Sequence, residues 1–181
     1  MSPKLNLMQM VITAFILSFV ILCNGKNCHD DPVVLNEELF ACCKGHPKYT
    51  SEPCIDALLA NDTFSPECLV DCMYSQYKIY NGEDIDLAAV KIFLDSRITD
   101  EAFNVVYLHA YKKCSKLNKA LIESKFSFIE IKNSHGCDVY PTFMEFCVWY
   151  HTIVDCPPKY ATNDETCSHK RQWINECLLE S

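Results

Sequence analysis

The chain has 181 residues, of which 49% are hydrophobic and 22% charged, as is ordinary for a soluble globular protein of one domain. Its formal net charge of −8 and its lack of a basic sequence cluster argue against nucleic-acid binding. Only 4 glycines are present, which argues against hairpin-rich β folds and glycine-rich phosphate loops, because both need backbone at positive φ.

Residues 1–25 are predicted to be a signal peptide. Lys4 supplies the positive start, an apolar run follows from 11 to 22, and Cys23 and Gly25 are small residues at the −3 and −1 positions of a cleavage site. A membrane anchor is the alternative, but the run is short for a bilayer span. The remaining chain is therefore expected to be secreted and extracellular, without a membrane span.

The mature chain, 26–181, is expected to fold as a single helical domain with a C-terminal extension from about residue 157. Of the 13 cysteines in the whole sequence, only Cys23 lies in the leader, which leaves an even number. In an oxidising compartment, such a set predicts about six disulfides. A zinc site containing Cys68-x3-Cys72 is the less favoured alternative. The cysteines predicted to form disulfides are Cys28, Cys42, Cys43, Cys54, Cys68, Cys72, Cys114, Cys137, Cys147, Cys156, Cys167 and Cys177.

Helix-start and helix-stop residues divide the first half of the chain into short helices. Asn36 is a suitable N-cap before two glutamates, and Gly45 ends that helix. A second helix is predicted after Ser51. The pair Ser65-Pro66 marks a third helix start, because proline is favoured at the first helical position.

The same reasoning extends through the second half. Asn81-Gly82 interrupts the pattern, Asp84 or Asp86 caps the next helix, and Thr99 is predicted to cap the one after it.

The C-terminal part contains two further predicted helices. One opens at Pro141 and ends before Pro157-Pro158, and the last is capped by Ser168. The segment 126–131 has an extended pattern but no partner strand. The fold class predicted is all-α, with six to eight short helices cross-linked by about six disulfides around an apolar cavity.

The cysteine spacing carries a resemblance to a known family. Cys68 and Cys72 share one helix face, 41 residues separate Cys72 from Cys114, and Cys147-x8-Cys156 is followed directly by a proline. This run, behind a signal peptide, resembles the insect odorant-binding proteins of the Plus-C subclass, which have extra cysteines and a proline after the sixth framework cysteine. The resemblance covers essentially the whole mature chain.

The resemblance implies a pairing in which the first framework cysteine bonds the third, the second the fifth and the fourth the sixth. The framework positions, in order, would be Cys42 or Cys43, Cys68, Cys72, Cys114, Cys147 and Cys156. The implied bonds are Cys68–Cys147, Cys114–Cys156 and Cys72 with Cys42 or Cys43. The pairing of the other cysteines stays open.

The resemblance also implies the function: a carrier that binds small hydrophobic molecules, odorants or pheromones, and takes them through aqueous sensory fluid to receptors. Such a carrier is not an enzyme and needs no cofactor or metal. A sensory receptor is its expected partner, and the sequence leaves a homodimer open. Apolar residues at helical spacing are the candidates for binding the ligand, although plain core packing explains such stripes equally well. The candidates are Met73, Leu87, Val90, Phe93, Leu94, Phe103, Val106, Tyr107, Phe143, Phe146 and Tyr150.

Three further features have functional interpretations. Asn61 begins an N-glycosylation sequon in a predicted turn. His109 and His151 lie on predicted helices, where protonation would loosen packing and release a ligand. The segment from Pro157 onward is hypothesised to cover or reshape the cavity.

Two rival classes remain. The motif Cys42-Cys43-Lys44-Gly45-His46 mimics the catalytic start of secreted phospholipases A2, but Pro47 occupies the place of the calcium-binding aspartate, and Tyr49 that of a cysteine. The other class is a secreted, disulfide-rich interaction protein of salivary or venom type, with no small-molecule cargo. Displacement of a fluorescent apolar probe separates this class from a carrier.

Overall fold

The computed structural model describes residues 28, 36–47, 51–129, 131 and 135–179. The predicted signal peptide, residues 1–25, lies outside this part of the chain. Every helix named below lies in one compact unit, Val33–Ser181. Among the described residues there are eight α-helices and no β-strand, which confirms the predicted all-α fold class.

The helices are short and follow one another closely. In chain order they are α1 (Glu37–Phe40), α2 (Glu52–Ala60), α3 (Pro66–Gln76), α4 (Leu87–Arg97), α5 (Glu101–Cys114), α6 (Lys119–Lys125), α7 (Tyr140–Val154) and α8 (Glu165–Trp173). A π-helical turn, Ile174–Leu179, continues directly from α8. No helix in the described part of the chain is long and apolar enough to cross a membrane.

Side-chain caps set most of the helix starts. The carboxamide oxygen of Asn36 accepts a hydrogen bond from the Leu39 amide at 2.9 Å, and the Ser65 hydroxyl accepts one from Cys68. Asp86 caps α4, which resolves the choice between Asp84 and Asp86. Each such cap stabilises its helix by about 1 kcal/mol.

Two predicted caps were wrong by a few residues. Asp100, not Thr99, caps α5, because its carboxylate accepts hydrogen bonds from the first-turn amides. Asp164, not Ser168, caps α8 for the same reason, and Ser168 lies inside the helix with its hydroxyl bonded to the Asp164 carbonyl. A carboxylate suits the positive end of a helix better than a hydroxyl does.

Helix α7 lies at the centre of the core. It packs against α3, α5, α6, α8 and the π-helical turn, and its most extensive contact is with α5. Its buried residues include Met144, Val148 and Ile153, each fully inaccessible to solvent. The segment from Pro157 onward belongs to the same core, because Ile174 is fully buried and Leu178 nearly so.

All twelve cysteines predicted to form disulfides are disulfide-bonded. Five of the bonds are Cys42–Cys167, Cys43–Cys156, Cys54–Cys72, Cys68–Cys137 and Cys114–Cys147. Cys28 and Cys177 are bonded as well. Since the chain has no thiol left among these positions, none of them is available to hold zinc as a thiolate.

The pairing implied by the family resemblance was wrong. Cys147 lies in the middle of α7, on the face that packs against α5, and therefore bonds Cys114 rather than Cys68. Cys156 lies beyond the end of α7 and bonds Cys43, whereas Cys68 bonds Cys137, just before α7 begins. The spacing of cysteines along the chain does not specify which of them helix packing brings together.

The interlocked order of pairing is nevertheless present on a different set of cysteines. Counting from Cys54, the first cysteine bonds the third, the second the fifth and the fourth the sixth, which is Cys147. Pro157 therefore does not follow the sixth cysteine of the interlocked set. The doublet Cys42-Cys43 forms two additional bonds with the C-terminal part of the chain.

Candidate functional site

The residues predicted to line a cavity are mostly part of the buried core. Eight of the eleven belong to it, Leu87 and Phe146 pack against it, and Val106 is half-buried. The eight are Met73, Val90, Phe93, Leu94, Phe103, Tyr107, Phe143 and Tyr150. Two pockets in the described part of the chain are considered below, and none of the eleven residues lines either of them. Their burial agrees with core packing, and their role in ligand binding stays a prediction.

A buried carboxylate occupies the interface of α3, α5 and α7. Glu145 is only 3% exposed, and its Oε1 accepts hydrogen bonds from the hydroxyl groups of Tyr74, at 2.8 Å, and Tyr111. Burial, followed by the Glu145 charge, raises the pKa of Tyr111 well above its ordinary value, so this hydroxyl remains a donor. The cluster is a polar centre inside an otherwise apolar core.

A second polar contact lies among aromatic rings. The Tyr107 hydroxyl is 2.8 Å from Nε2 of His46, whose ring also packs against Phe40 and Phe103. Burial raises the pKa of Tyr107 well above its ordinary value. His46 is the histidine of the phospholipase-like motif, and its described neighbours here are aromatic side chains.

One pocket, of about 390 Å³, lies between the end of α5, α6, α7 and the π-helical turn. This volume is within the range of about 300–1,000 Å³ that is typical of small-molecule sites. Four apolar side chains border it, Leu117, Phe126, Leu178 and Leu179, of which Leu117 and Leu179 are partly exposed. Phe126 is fully buried and stacks on the ring of Tyr150, with 5.7 Å between the ring centroids. We call this site the lysine pocket, after the residues described next.

Three lysines complete the lysine pocket: Lys113, Lys116 and Lys125. No aspartate or glutamate is among the described residues that line it. Nζ of Lys113 forms an ion pair with Asp155 at 3.0 Å, and Nζ of Lys125 donates to the Leu178 carbonyl at 3.1 Å. Burial lowers the pKa of Lys125. The pocket therefore combines an apolar wall with cationic groups.

His151 is the titratable ring in this pocket. Burial, and then the positive charge of Lys113, lowers its pKa to about 4. Its Nδ1 is buried and has no hydrogen-bond partner among the described residues. The ring lies close to the sulfurs of Cys114 and Cys147, a grouping with metal-like spacing. Those two sulfurs are bonded to each other, however, so neither offers a thiolate to a metal ion.

We expect His151 to make the protein less stable in mild acid. The groups that act on its ring are Lys113 and His109 on α5, Lys125 on α6, and Asp155 beyond α7. Because the unfolded chain binds this proton below about pH 6.5 and the folded chain only near pH 4, stability falls as the pH drops from about 6.5 to about 4. After a discount for partial exposure, the loss is about 2 kcal/mol.

The measurement is urea unfolding at a series of pH values for the wild type and for His151→Gln. The variant should lose part of the slope between pH 6.5 and pH 4. His169→Gln, which changes an exposed histidine on α8, serves as the control and should keep the slope. Identical profiles for the wild type and His151→Gln would show that this ring does not account for the acid sensitivity.

A second pocket, of about 550 Å³, lies between α4 and α5. Its charged groups are mixed in sign, since Lys91, Asp95 and Glu101 all line it. Lys91 pairs with Asp95, whose other oxygen accepts a hydrogen bond from Asn104 at 3.0 Å. Because its own side chains satisfy one another, this pocket offers little to an incoming ligand.

Asn61, the predicted glycosylation site, follows α2 and is exposed. Its Nδ2 donates to the Ala57 carbonyl at 2.8 Å. The exposed position leaves room for a glycan, and the modification itself stays a prediction.

Comparison of the chain with known protein families and with characterised proteins finds no match. Sequence reasoning had singled out His151 but missed the lysine pocket around it. The pocket combines residues from the end of α5, from α6, from α7 and from the π-helical turn, so no local sequence pattern indicates it.

Proposed function

We propose that this protein is a secreted carrier of small hydrophobic molecules, of the odorant-binding type with additional cysteines. The observation that carries the proposal is the interlocked pairing of Cys54–Cys72, Cys68–Cys137 and Cys114–Cys147 on an all-helical framework. This is the order of pairing that the family resemblance implies, although it begins at Cys54 rather than at Cys42 or Cys43. Full oxidation of the twelve cysteines supports the secreted location, because such bonds persist in oxidising compartments.

Physical reasons support the carrier over an enzyme. Transfer of an apolar molecule from water to protein is driven by burial, at about 25 cal/mol per Å², and needs no reactive group. The lysine pocket has a volume typical of small-molecule sites and is bordered in part by apolar side chains. The segment from Pro157 onward contributes two of them, Leu178 and Leu179. Disulfides stabilise the arrangement of short helices, so the fold does not depend on filling every cavity by side-chain packing. The proposal also includes delivery of the bound ligand to a receptor.

The test is displacement of the fluorescent probe N-phenyl-1-naphthylamine from the oxidised protein. We expect saturable probe binding, displacement by medium-chain apolar compounds at micromolar concentration, and loss of binding after reduction under denaturing conditions. Lysozyme, another small disulfide-bonded protein, serves as the control for non-specific partition of the probe. Absence of saturable binding by folded protein would contradict the carrier function.

A secreted interaction protein without cargo is the second candidate. The observation that favours it is a pair of exposed apolar side chains on neighbouring helices: Ile92 on α4 is 71% exposed, and Val105 on α5 is 62% exposed. Apolar side chains of this exposure are typical of surfaces that contact other proteins when they form a continuous patch. A protein that binds no probe, yet depends on Ile92 and Val105 for association with a partner, would favour this candidate.

A further inference from the structure

We propose that Asn81 is a site of spontaneous modification, at which the side-chain amide becomes a carboxylate through a cyclic imide formed with Gly82. Both residues lie in the loop between α3 and α4. The inference is independent of the carrier function, because it concerns only this loop and needs no ligand. It assigns the reacting atoms and the backbone groups that promote the step.

The dipeptide Asn81-Gly82 brings the two reacting groups together in the chain. Attack of the Gly82 nitrogen on Cγ of Asn81 closes a succinimide ring, so the reaction is intramolecular and needs no encounter between two molecules. Gly82 has a φ of 98°, and a Cβ added there would meet no atom within 4 Å beyond its chain neighbours. Since glycine has no side chain, nothing at this residue shields its nitrogen from the carbonyl carbon.

The nucleophile and the leaving group are both accessible in the folded protein. Asn81 and Gly82 are exposed, so water reaches them. Within the described part of the chain, the Gly82 amide donates no hydrogen bond, and Nδ2 of Asn81 donates none. Neighbouring residues therefore do not hold either group back from the reaction.

The carbonyl oxygen of the same side chain, in contrast, is held by two backbone donors. Oδ1 of Asn81 accepts hydrogen bonds from the amides of Glu83, at 2.9 Å, and Asp84, at 2.8 Å. As the Gly82 nitrogen attacks, negative charge develops on this oxygen, and donors already directed at it stabilise the transition state. The Asn81 amide donates to the Asp84 carbonyl at 3.3 Å, which keeps the turn closed. The loop therefore stabilises the oxyanion of its own asparagine.

The reaction balances without an oxidant or a reductant. A bond forms between the Gly82 nitrogen and Cγ of Asn81, the Cγ–Nδ2 bond breaks, and ammonia leaves with the proton of the Gly82 amide. Water then opens the imide at either carbonyl, which gives aspartate or isoaspartate. In isoaspartate the main chain passes through the former side chain. Either product adds a negative charge to a chain whose formal net charge is −8.

The experiment follows the intact oxidised protein during incubation at pH 8. Trypsin releases residues 79–91 as one peptide, since Lys78 and Lys91 delimit it and it contains no cysteine. Mass spectrometry of this peptide measures the conversion of the amide to an acid at Asn81. The variant Asn81→Asp keeps an acceptor in the turn and marks the elution of the aspartate product, so that isoaspartate is recognised as a separate peak.

Two other asparagines in the same sample are the matched controls. Asn118 and Asn163 are both exposed, and Oδ1 of Asn118 also accepts a hydrogen bond from a backbone amide, at 2.8 Å. They are followed by Lys119 and Asp164 rather than by glycine. We expect Asn81 to be converted while Asn118 and Asn163 stay intact.

The unfolded chain separates the effect of the turn from that of the dipeptide. The reduced and alkylated protein in urea retains Asn81-Gly82 but loses the two donors to Oδ1. We expect the folded protein to react about threefold faster, which corresponds to a hydrogen bond of modest net strength in the transition state. The variant Asn81→Gln has to close a larger ring and should stay unmodified at this position.

The results distinguish the two parts of the proposal. Conversion of Asn81 that is faster in the folded protein than in the unfolded chain supports both parts. Slower conversion in the folded protein would show that the turn protects the amide, and the role of the Glu83 and Asp84 amides would be overturned. An Asn81 as stable as Asn118 and Asn163 would refute the modification itself.

Discussion

Glu145→Leu is expected to destabilise the protein by about 3 kcal/mol. The substitution leaves the hydroxyl groups of Tyr74 and Tyr111 buried without the carboxylate that accepts from both of them. A buried polar group that loses its partner costs about 1–3 kcal/mol, and this cost falls mainly on Tyr111, because the Tyr74 hydroxyl can still donate to that of Tyr111 at 3.2 Å. Urea unfolding of the oxidised protein at pH 7 measures the difference in the free energy of unfolding.

Two further variants verify that the loss comes from the polar cluster. Glu145→Gln keeps an acceptor and should cost less than Glu145→Leu. The triple variant Tyr74→Phe/Tyr111→Phe/Glu145→Leu removes both hydroxyls as well and should regain part of the lost stability, since apolar groups often replace buried polar clusters at little cost. A triple variant that is less stable than Glu145→Leu would contradict this explanation.

The double variant Cys114→Ala/Cys147→Ala is expected to lose about 4–5 kcal/mol. Its bond closes a loop of 33 residues, which by the chain-entropy relation stabilises the folded state by about 3–4 kcal/mol. Both sulfurs are fully buried between α5 and α7, so their removal also leaves a small void. Cys54→Ala/Cys72→Ala, with a separation of 18 residues, should lose less, about 3 kcal/mol.

Alkylation of single variants tests the pairing itself. Cys137→Ala should leave Cys68 as the free thiol, and Cys156→Ala should leave Cys43. Peptide mass analysis after labelling with iodoacetamide identifies the labelled cysteine. Labelling of Cys147 in the Cys137→Ala variant would show that the bonds differ from those described.

The sequence was a good guide to the fold because its main signals are local. Asn36, Ser65 and Asp86 each cap a helix through their own side chains within a few residues, so the helix starts follow from short motifs. Thr99 was a less accurate prediction, since the adjacent Asp100 competes for the same amides. The even number of cysteines correctly predicted full oxidation, which depends on composition rather than on geometry.

The pairing and the candidate site depend on long-range geometry and were less accessible. Cys114 meets Cys147 because α5 lies against α7, and no local pattern encodes that contact. The lysine pocket brings Lys116, Lys125 and Leu178 together from three segments of the chain. Apolar periodicity located buried faces, including that of Tyr150, but periodicity does not distinguish a residue that fills the core from one that borders a ligand.

The neighbouring residues Cys42 and Cys43 bond Cys167 and Cys156, so the segment 156–167 closes a small covalent ring with the doublet. A protease that cleaves after the exposed Lys159 would cut this ring once without releasing a fragment. The nicked protein would migrate as a single chain in non-reducing electrophoresis and would separate into two pieces only after reduction. The C-terminal wall of the lysine pocket is thus protected against loss by a single proteolytic event in this loop.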